Sequence, residues 1–183
     1  MRRAKFLEVA AHLIGELGFE AVTMTAIAEH SHASIGTLYD YFPDKQTLAQ
    51  ALAAQYAEEA DGHWKRLLEG ASTLKKAALA DLFVEGALAF ARERPAYLPL
   101  IGAPFFYSRS AAARRPLRRT FADALRRLNP KLTADRAFLS AQIIVELIKG
   151  LLAVCKQIDP KDTDLVTVEF KRLMRNYLIE VVR

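Results

Sequence analysis

The chain has 183 residues, and its 26 Lys and Arg against 21 Asp and Glu give a net charge of +5. This length suits one domain or two small ones with a real hydrophobic core. A single cysteine, Cys155, excludes an intrachain disulfide, as is usual for a cytosolic protein. We therefore expect a cytoplasmic location.

Neither a signal peptide nor a membrane span is expected. The basic and then apolar start is interrupted by Glu8, His12 and Glu16 at a helical period, unlike a signal peptide. The best candidate for a membrane segment, residues 143–148, is short and contains Glu146.

Two short helices joined by a tight turn are predicted near the amino terminus. Thr23 can cap a first helix that ends near His30, and Ser34 can cap a second that runs through Tyr41. This arrangement is a helix-turn-helix, for which DNA is the first partner to consider.

The second of these helices has an inward and an outward face. Leu38 and Phe42 lie four residues apart and can pack on Ile27 and on the preceding helix. The apolar positions of that preceding helix include Phe6, Val9, Leu13 and Leu17. The outward face carries small, hydroxyl and phenol groups, which suit a groove edge and its phosphates.

The order T-x-x-x-I-A, a turn and S-x-G-T-L-Y-x-Y-F-x-x-K-x-x-L resembles the N-terminal signature of the tetracycline-repressor (TetR) family. The matching residues are Thr23, Ile27, Ala28, Ser34, Gly36, Thr37, Leu38, Tyr39, Tyr41, Phe42, Lys45 and Leu48. The resemblance implies an all-α homodimeric repressor that releases its operator when a small molecule fills a pocket in the C-terminal domain.

The resemblance also implies roles for single residues. Ile35, Gly36 and Thr37 correspond to groove-facing residues, and Tyr39, Tyr41 and Lys45 to phosphate contacts. The full set of candidate DNA-binding residues is Thr23, Thr25, Ser34, Ile35, Gly36, Thr37, Tyr39, Tyr41 and Lys45. Two positions depart from the family: Thr25 stands where Arg or Lys is common, and His32 replaces a turn glycine. An unchanged turn would hold His32 in a left-handed backbone conformation.

The local charge does not follow the overall charge. Residues 1–45 contain four Lys or Arg and six Asp or Glu, a net charge of −2. Backbone N–H groups at the helix starts, capped by Thr23, Ser34 and Asp44, would then carry much of any phosphate contact. A basic arm at residues 2–5 could add to this by lying along a neighbouring groove.

The rest of the chain is predicted to be helical, for about nine helices in all. Expected helices cover Lys45 to about Glu69, Ser72 or Thr73 to about Arg94, residues 110–128, Thr133 to about Ile158, and a last helix capped by Asp162. The segment between Pro95 and Pro104 is expected to be either a short helix or irregular. We predict a helix-turn-helix domain over residues 1–45 and a ligand-binding and dimerisation domain over residues 46–183.

The last two helices have too many apolar residues for a single buried stripe. A helix covered on one side buries a stripe about 100° wide, so the second stripe needs a partner, most simply a two-fold copy. The predicted interface residues are Val145, Ile148, Leu152, Met174 and Leu178. Burial of both stripes inside one chain is the alternative.

Aromatic residues of the middle helices can line an apolar cavity for a hydrophobic or aromatic effector. The candidates are Trp64, Phe83, Phe90, Tyr97, Phe105, Phe106, Tyr107 and Phe121, each of which can equally belong to the core. The seven arginines from Arg109 to Arg127 form either a solvated face or a surface for an anionic ligand, an acidic partner or DNA.

No enzyme signature is present: the chain lacks G-x-S-x-G, H-E-x-x-H and a phosphate loop. His30 and His32 lack cysteine or clustered carboxylate partners, so no metal or cofactor is expected. The sequence predicts a ligand-responsive DNA-binding regulator. The alternative is a helical ligand-binding or interaction module of the same fold that no longer binds DNA.

Overall fold

The computed structural model describes residues 2–70, 74, 76–101, 103 and 111–181. These residues form nine α-helices and one short 3-10 helix, and they contain no β-strand. The predicted all-α fold is confirmed.

The helices follow the predicted order closely. They are α1 (Arg2–Leu17), α2 (Met24–His30), α3 (Ile35–Tyr41), α4 (Lys45–Glu69), α5 (Lys76–Arg92), α6 (Tyr97–Ile101), α7 (Ala111–Leu128), α8 (Ala134–Gln157) and α9 (Thr163–Val181), with the 3-10 helix at Pro160–Asp162. The predicted start of the fifth helix at Ser72 or Thr73 lies outside the described residues.

Side-chain caps fix where several of these helices begin. The capping hydrogen bonds run from Ala26 N–H to Thr23 Oγ1 (3.1 Å), Thr37 N–H to Ser34 Oγ (3.1 Å), Thr47 N–H to Asp44 Oδ1 (2.6 Å) and Arg136 N–H to Thr133 Oγ1 (3.3 Å). Each satisfies an N–H group that has no partner within its own helix. The backbone N–H of Thr47 also holds the pKa of the exposed Asp44 carboxyl below its usual value.

Internal contacts divide the chain into two compact units. Unit 1 comprises Met1–Glu58 and Ala91–Arg109, and unit 2 comprises Glu59–Phe90 and Ser110–Arg183. The predicted boundary after residue 45 thus falls inside unit 1. Helix α4 begins in unit 1 and ends in unit 2, and α6 belongs to the same unit as the helix-turn-helix.

The core of unit 1 is formed by the inward faces of α1, α2 and α3 with the start of α4. Ile27, Leu38 and Phe42 are almost completely buried, as the sequence predicts. Leu17 is different: it is the last residue of α1 and is 57% exposed, so its predicted place in this core is wrong.

The segment at α6 packs closely on α1. Ala96 and Leu100 are fully buried in the core of unit 1. A Cβ atom built on Gly15 would lie 2.4 Å from Pro95 Cβ, which no side chain can tolerate without displacing backbone. The chain that leaves α5 is therefore held directly against the first helix of the helix-turn-helix unit.

The core of unit 2 contains a cluster of aromatic rings. The Trp64 and Phe121 ring centroids are 5.0 Å apart, and Phe83 stacks on Phe121 at 5.1 Å. Aromatic pairs at these distances add to the energy of burial. Helix α8 also contributes, packing against α7 and α9.

Helix α8 is long and apolar enough to cross a membrane by length and composition alone. The sequence alone predicts no segment of this kind. The apolar character of α8 has another physical cause, because residues such as Ala141, Ile144 and Leu151 are fully buried within unit 2.

The structure changes which residues are available to a partner. The predicted interface residues Val145, Ile148, Leu152, Met174 and Leu178 are each at most 8% exposed within a single chain. Such side chains have almost no surface left to bury against a second copy. The exposed large apolar side chains of α8 and α9 are Leu139, Ile143, Leu165, Val168, Leu173 and Ile179.

Candidate nucleic-acid interface

Helix α3 presents most of the predicted contact residues to solvent. The exposed fractions are 39% for Ile35, 49% for Tyr39 and 43% for Tyr41, whereas Leu38 on the opposite face is fully buried. The helix is thus anchored by one side and leaves two phenols and an aliphatic group free. Tyr41 is the more constrained phenol, since its ring packs edge-on against Phe6 at 5.6 Å.

The hydroxyl residues at the starts of α2 and α3 are exposed too. Thr23, Thr25 and Ser34 are exposed, and Thr37 is partly buried. Ser34 Oγ lies 2.8 Å from Thr37 Oγ1 and also accepts the Thr37 N–H. These two side chains therefore fix the first turn of α3 as well as bordering its exposed face.

Gly36 sits in that first turn with open space around it. A Cβ atom at this position would meet only Ser34 Oγ, at 3.9 Å, and its backbone φ is not in the left-handed region. A helical glycine costs about 1 kcal/mol relative to alanine. Nothing in the described chain requires a glycine here, so its absence of a side chain leaves the α3 backbone accessible from outside.

The turn between α2 and α3 closes with a left-handed residue. His32 has a φ of 54°, as the resemblance to the TetR family implied for an unchanged turn. The His32 N–H donates to the Glu29 carbonyl and the Ala33 N–H to the Ala28 carbonyl, both at 3.0 Å. This Schellman pattern keeps the turn geometry although histidine replaces glycine.

Lys45 is held by the protein itself. Its Nζ donates to the carbonyls of Phe19 (2.9 Å) and Glu20 (3.0 Å) and lies 4.6 Å from the centre of the Phe19 ring. The ammonium has three N–H donors, so one remains for a phosphate. Lys45 ties the start of α4 to the α1–α2 connection, a structural role that the sequence did not indicate.

The basic residues at the amino terminus do not form a free arm. Residues 2–5 are the exposed first turn of α1, and the Arg3 guanidinium lies 5.3 Å from the centre of the Phe42 ring. The described residues 2–5 are therefore helical and not an extended arm. Their contact with a DNA groove stays a prediction. Of these basic residues, Arg3 lies over a core ring of the helix-turn-helix, while its side chain remains exposed.

The residues predicted to line the effector pocket lie in different parts of the structure. Trp64, Phe83, Phe90 and Phe121 are buried in unit 2. Tyr97 belongs to unit 1, where its ring packs on Tyr56 at 5.8 Å. Phe105, Phe106 and Tyr107 lie outside the described residues. The prediction that all of these residues line one cavity therefore stays a prediction.

Two sequence profiles place the chain in a known family. The profile for "Bacterial regulatory proteins, tetR family" matches residues 6–52, and that for "Tetracyclin repressor-like, C-terminal domain" matches residues 77–178. Together they cover the helix-turn-helix and most of the helices that follow it. The chain belongs to the TetR family.

Characterised TetR-family regulators match the amino-terminal part of the chain. The transcriptional repressor KstR of Rhodococcus jostii is 39% identical over 64 residues, 35% of this chain and 30% of KstR. The transcriptional regulator UidR of Escherichia coli is 35% identical over 68 residues, 37% of this chain and 35% of UidR. The matched segment thus spans about a third of the length of either relative.

Solved TetR-family structures share the whole fold. A regulator from Streptomyces coelicolor superposes with a TM-score of 0.77 at 22% identity, covering 99% of both chains. Thermus thermophilus FadR, solved with lauroyl-CoA, gives 0.65 at 23% identity over 99% of this chain and 95% of FadR. These likenesses establish the TetR fold from α1 to α9.

Proposed function

We propose that the protein is a ligand-responsive TetR-family repressor that binds a near-palindromic operator as a cytoplasmic homodimer. The observation that carries this proposal is the outward face of α3, where two phenols, Ile35 and the open backbone at Gly36 are exposed on a rigid helix. Phosphate contacts position such a helix, and contacts in the groove supply specificity.

Residues 1–45 carry a net charge of −2, so the chemical groups on the exposed face of α3 matter for DNA binding. A helix-turn-helix with few arginines and lysines must rely on phenol hydroxyls, backbone N–H groups and the free donor of Lys45 for its phosphate contacts. Tyr39 is 49% exposed, and its hydroxyl has no hydrogen-bond partner among the described residues. It is therefore available to a phosphate oxygen without first breaking an internal bond.

Dimerisation would come from the apolar side chains that a single chain leaves exposed. Leu165, Val168 and Ile179 lie on one face of α9, and Ile143 is exposed on α8. A two-fold axis through this surface would bury these side chains in both copies of the chain. The two recognition helices of such a dimer would then read half-sites about 34 Å apart.

The effector is proposed to be a hydrophobic or aromatic small molecule that binds among the middle helices. The apolar and aromatic character of Trp64, Phe83 and Phe121 supports this choice. FadR of Thermus thermophilus, which shares the fold, was solved with a ligand that carries a long apolar chain. The proposal needs these rings to separate, since they now contact one another.

The chain passes between unit 1 and unit 2 three times, after Glu58, Phe90 and Arg109. The first two of these connections can carry a signal from unit 2 to the helix-turn-helix. Helix α4 runs out of unit 1 at Glu58, and the chain returns to unit 1 at Ala91, before the tight contact of Pro95 with Gly15. We propose that an effector shifts α4 and this returning segment together and so changes the half-site spacing. A coupling of about 1–3 kcal/mol would give a useful response.

Replacing Tyr39 with Phe tests the assignment of the α3 face. We expect the affinity for DNA flanking the protein's own gene to fall about tenfold, because a hydrogen bond to a charged acceptor contributes about 1.5 kcal/mol. Fluorescence anisotropy with a labelled fragment measures this change.

Tyr177→Phe is the matched control, since it also deletes one phenol oxygen. The Tyr177 hydroxyl is buried without a hydrogen-bond partner in the described chain, and DNA affinity should not change. Equal DNA affinity for the Tyr39 and Tyr177 variants would remove the phenol from the proposed interface. If the unmodified protein binds no DNA at all, the alternative of an interaction module that no longer binds DNA is favoured.

A further inference from the structure

The arginines of α7 whose side chains the structure describes separate into two groups, while Arg109 and the side chain of Arg114 lie outside the described residues. On one side, Arg118 forms an ion pair with Glu146 at 3.7 Å, and Arg127 Nη2 donates to the Leu68 carbonyl at 3.3 Å. These two guanidiniums are used to hold unit 2 together. Arg118 and Arg127 therefore have a structural role. The remaining described arginines of α7 do not share it.

The second group consists of Arg115, Arg119 and Arg126, which are all exposed. Asp123 lies four residues after Arg119 and three before Arg126, a spacing at which helical side chains can pair. No ion pair joins Asp123 to either arginine, and none of the three arginines is paired elsewhere in the described part of unit 2. Their charge is not neutralised by the protein.

These three arginines line a groove between α7 and the beginning of α8. The groove has a volume of about 440 Å³, and Ala122, Phe138 and Leu139 provide its apolar surface. Leu139 is 47% exposed, so part of this apolar surface is open to solvent. The groove thus combines unpaired guanidinium groups with a partly solvent-exposed apolar surface.

The charge and size of the groove limit what it can bind. Asp123 and Asp135 also line it, so three Arg against two Asp leave a net charge of +1. Carboxylates at these two positions would repel a polyanion such as DNA or an acidic segment. The volume lies in the range of about 300–1,000 Å³ for small-molecule sites, whereas a docked helix about 10 Å wide needs more room.

We propose that this groove binds a small amphipathic organic anion, with one carboxylate or phosphate group on the arginines and an apolar body on Phe138 and Leu139. Guanidinium groups match the planar or tetrahedral oxyanion through paired N–H donors. The site is separate from the effector cavity proposed above and does not depend on DNA binding.

Isothermal titration of the full-length protein with matched probes tests this site. The probes are 1-naphthoate, 1-naphthyl phosphate, neutral 1-naphthalenemethanol and inorganic phosphate. We expect one or both aromatic anions to bind at least about tenfold more tightly than the neutral alcohol or inorganic phosphate, because neither the apolar contact nor the charged hydrogen bonds suffice alone. The tighter of the two anions identifies the head group.

Substitutions then locate the binding. Arg119→Gln and Phe138→Ala should each weaken the tighter aromatic anion about three- to tenfold, since each removes one half of the recognition. Arg172→Gln is the control, because it deletes an exposed arginine of α9 that pairs with Glu169 outside the groove. Its affinity for the anion should equal that of the unmodified protein.

Two results would overturn the proposal. One is naphthalenemethanol binding as tightly as the anions, and the other is unchanged anion affinity in Arg119→Gln, an exposed position whose substitution does not threaten the fold. Operator binding should survive in all three variants, since none of the substituted residues lies in unit 1. Failure of the groove and failure of the proposed DNA binding are therefore distinguishable.

Discussion

Gly36→Ala is expected to stabilise the protein and at the same time to weaken its binding to operator DNA. The folded chain has room for the methyl group, whose only neighbour would be Ser34 Oγ at 3.9 Å. Alanine in place of a helical glycine should raise the unfolding free energy by up to about 1 kcal/mol. In the complex, the same methyl group would enter the gap between the α3 backbone and DNA.

The expected loss of DNA affinity is about five- to 150-fold, which corresponds to the 1–3 kcal/mol that overpacking a close contact costs. Thermal unfolding and DNA anisotropy on the same preparation measure the two effects. The opposite signs matter, because a variant that is more stable cannot lose DNA affinity through misfolding.

Gly62→Ala provides the matched control within α4. A Cβ atom there would meet only Arg66 Nη1, the end of a flexible side chain, at 3.4 Å. It should raise stability in the same way and leave DNA affinity unchanged. Unaltered DNA affinity in Gly36→Ala would mean that the α3 backbone does not approach DNA closely.

The second large effect concerns dimerisation. The double variant Leu165→Glu, Val168→Glu is expected to convert the dimer into a monomer at micromolar concentration. A two-fold axis repeats both carboxylates in the facing copy, and a buried unpaired charge costs about 3–5 kcal/mol. Because Leu165 is 69% and Val168 61% exposed in one chain, the folded monomer itself should tolerate the change.

Sedimentation velocity measures this dissociation, and circular dichroism checks that the helices persist. Lys161→Glu is the control, since it adds glutamate at an exposed position just before α9. Monomers should bind operator DNA far more weakly, because the two half-sites are then read independently. A double variant that remains dimeric would place the interface on another surface.

Most of the fold could be predicted because its signals are local. The caps at Thr23, Ser34 and Thr133 and the breaks near Pro95 and Asn129 each depend on neighbouring residues. The left-handed turn at His32 was predicted from the matching motif alone. Leu17 was misplaced because helical periodicity does not show that α1 ends at that residue, beyond the reach of the core.

The choice between the two apolar stripes of α8 and α9 could not be made from sequence. Ile148 and Ile143, or Leu178 and Ile179, are equally apolar, and the packing of neighbouring helices decides which is covered. Within unit 2, Lys171 and Arg175 of α9 pair with Glu85 and Asp81 of α5. These pairs join residues far apart in the chain, so no local pattern reveals them.

The site shows the same division between local and distant determinants. The exposed face of α3 follows from helical spacing, and Ile35, Gly36, Tyr39 and Tyr41 are exposed as predicted, whereas Thr37 is partly buried. Their contacts with DNA stay a prediction. The carbonyl partners of Lys45, at Phe19 and Glu20, are more than twenty residues away. The groove lined by Arg119 and Phe138 could not be predicted for a similar reason, because its residues come from two different helices. The run of arginines was the one sequence signal that pointed to it.

Titration of the unmodified protein against the DNA that flanks its own gene tests the central proposal most directly. We expect one dimer to bind a near-palindromic site, with half-sites about 34 Å apart, and to prefer it strongly over scrambled DNA of the same length. Affinity should fall as salt rises, with fewer than about six counterions released per chain. Equal binding to both fragments, or binding to neither, would contradict the account.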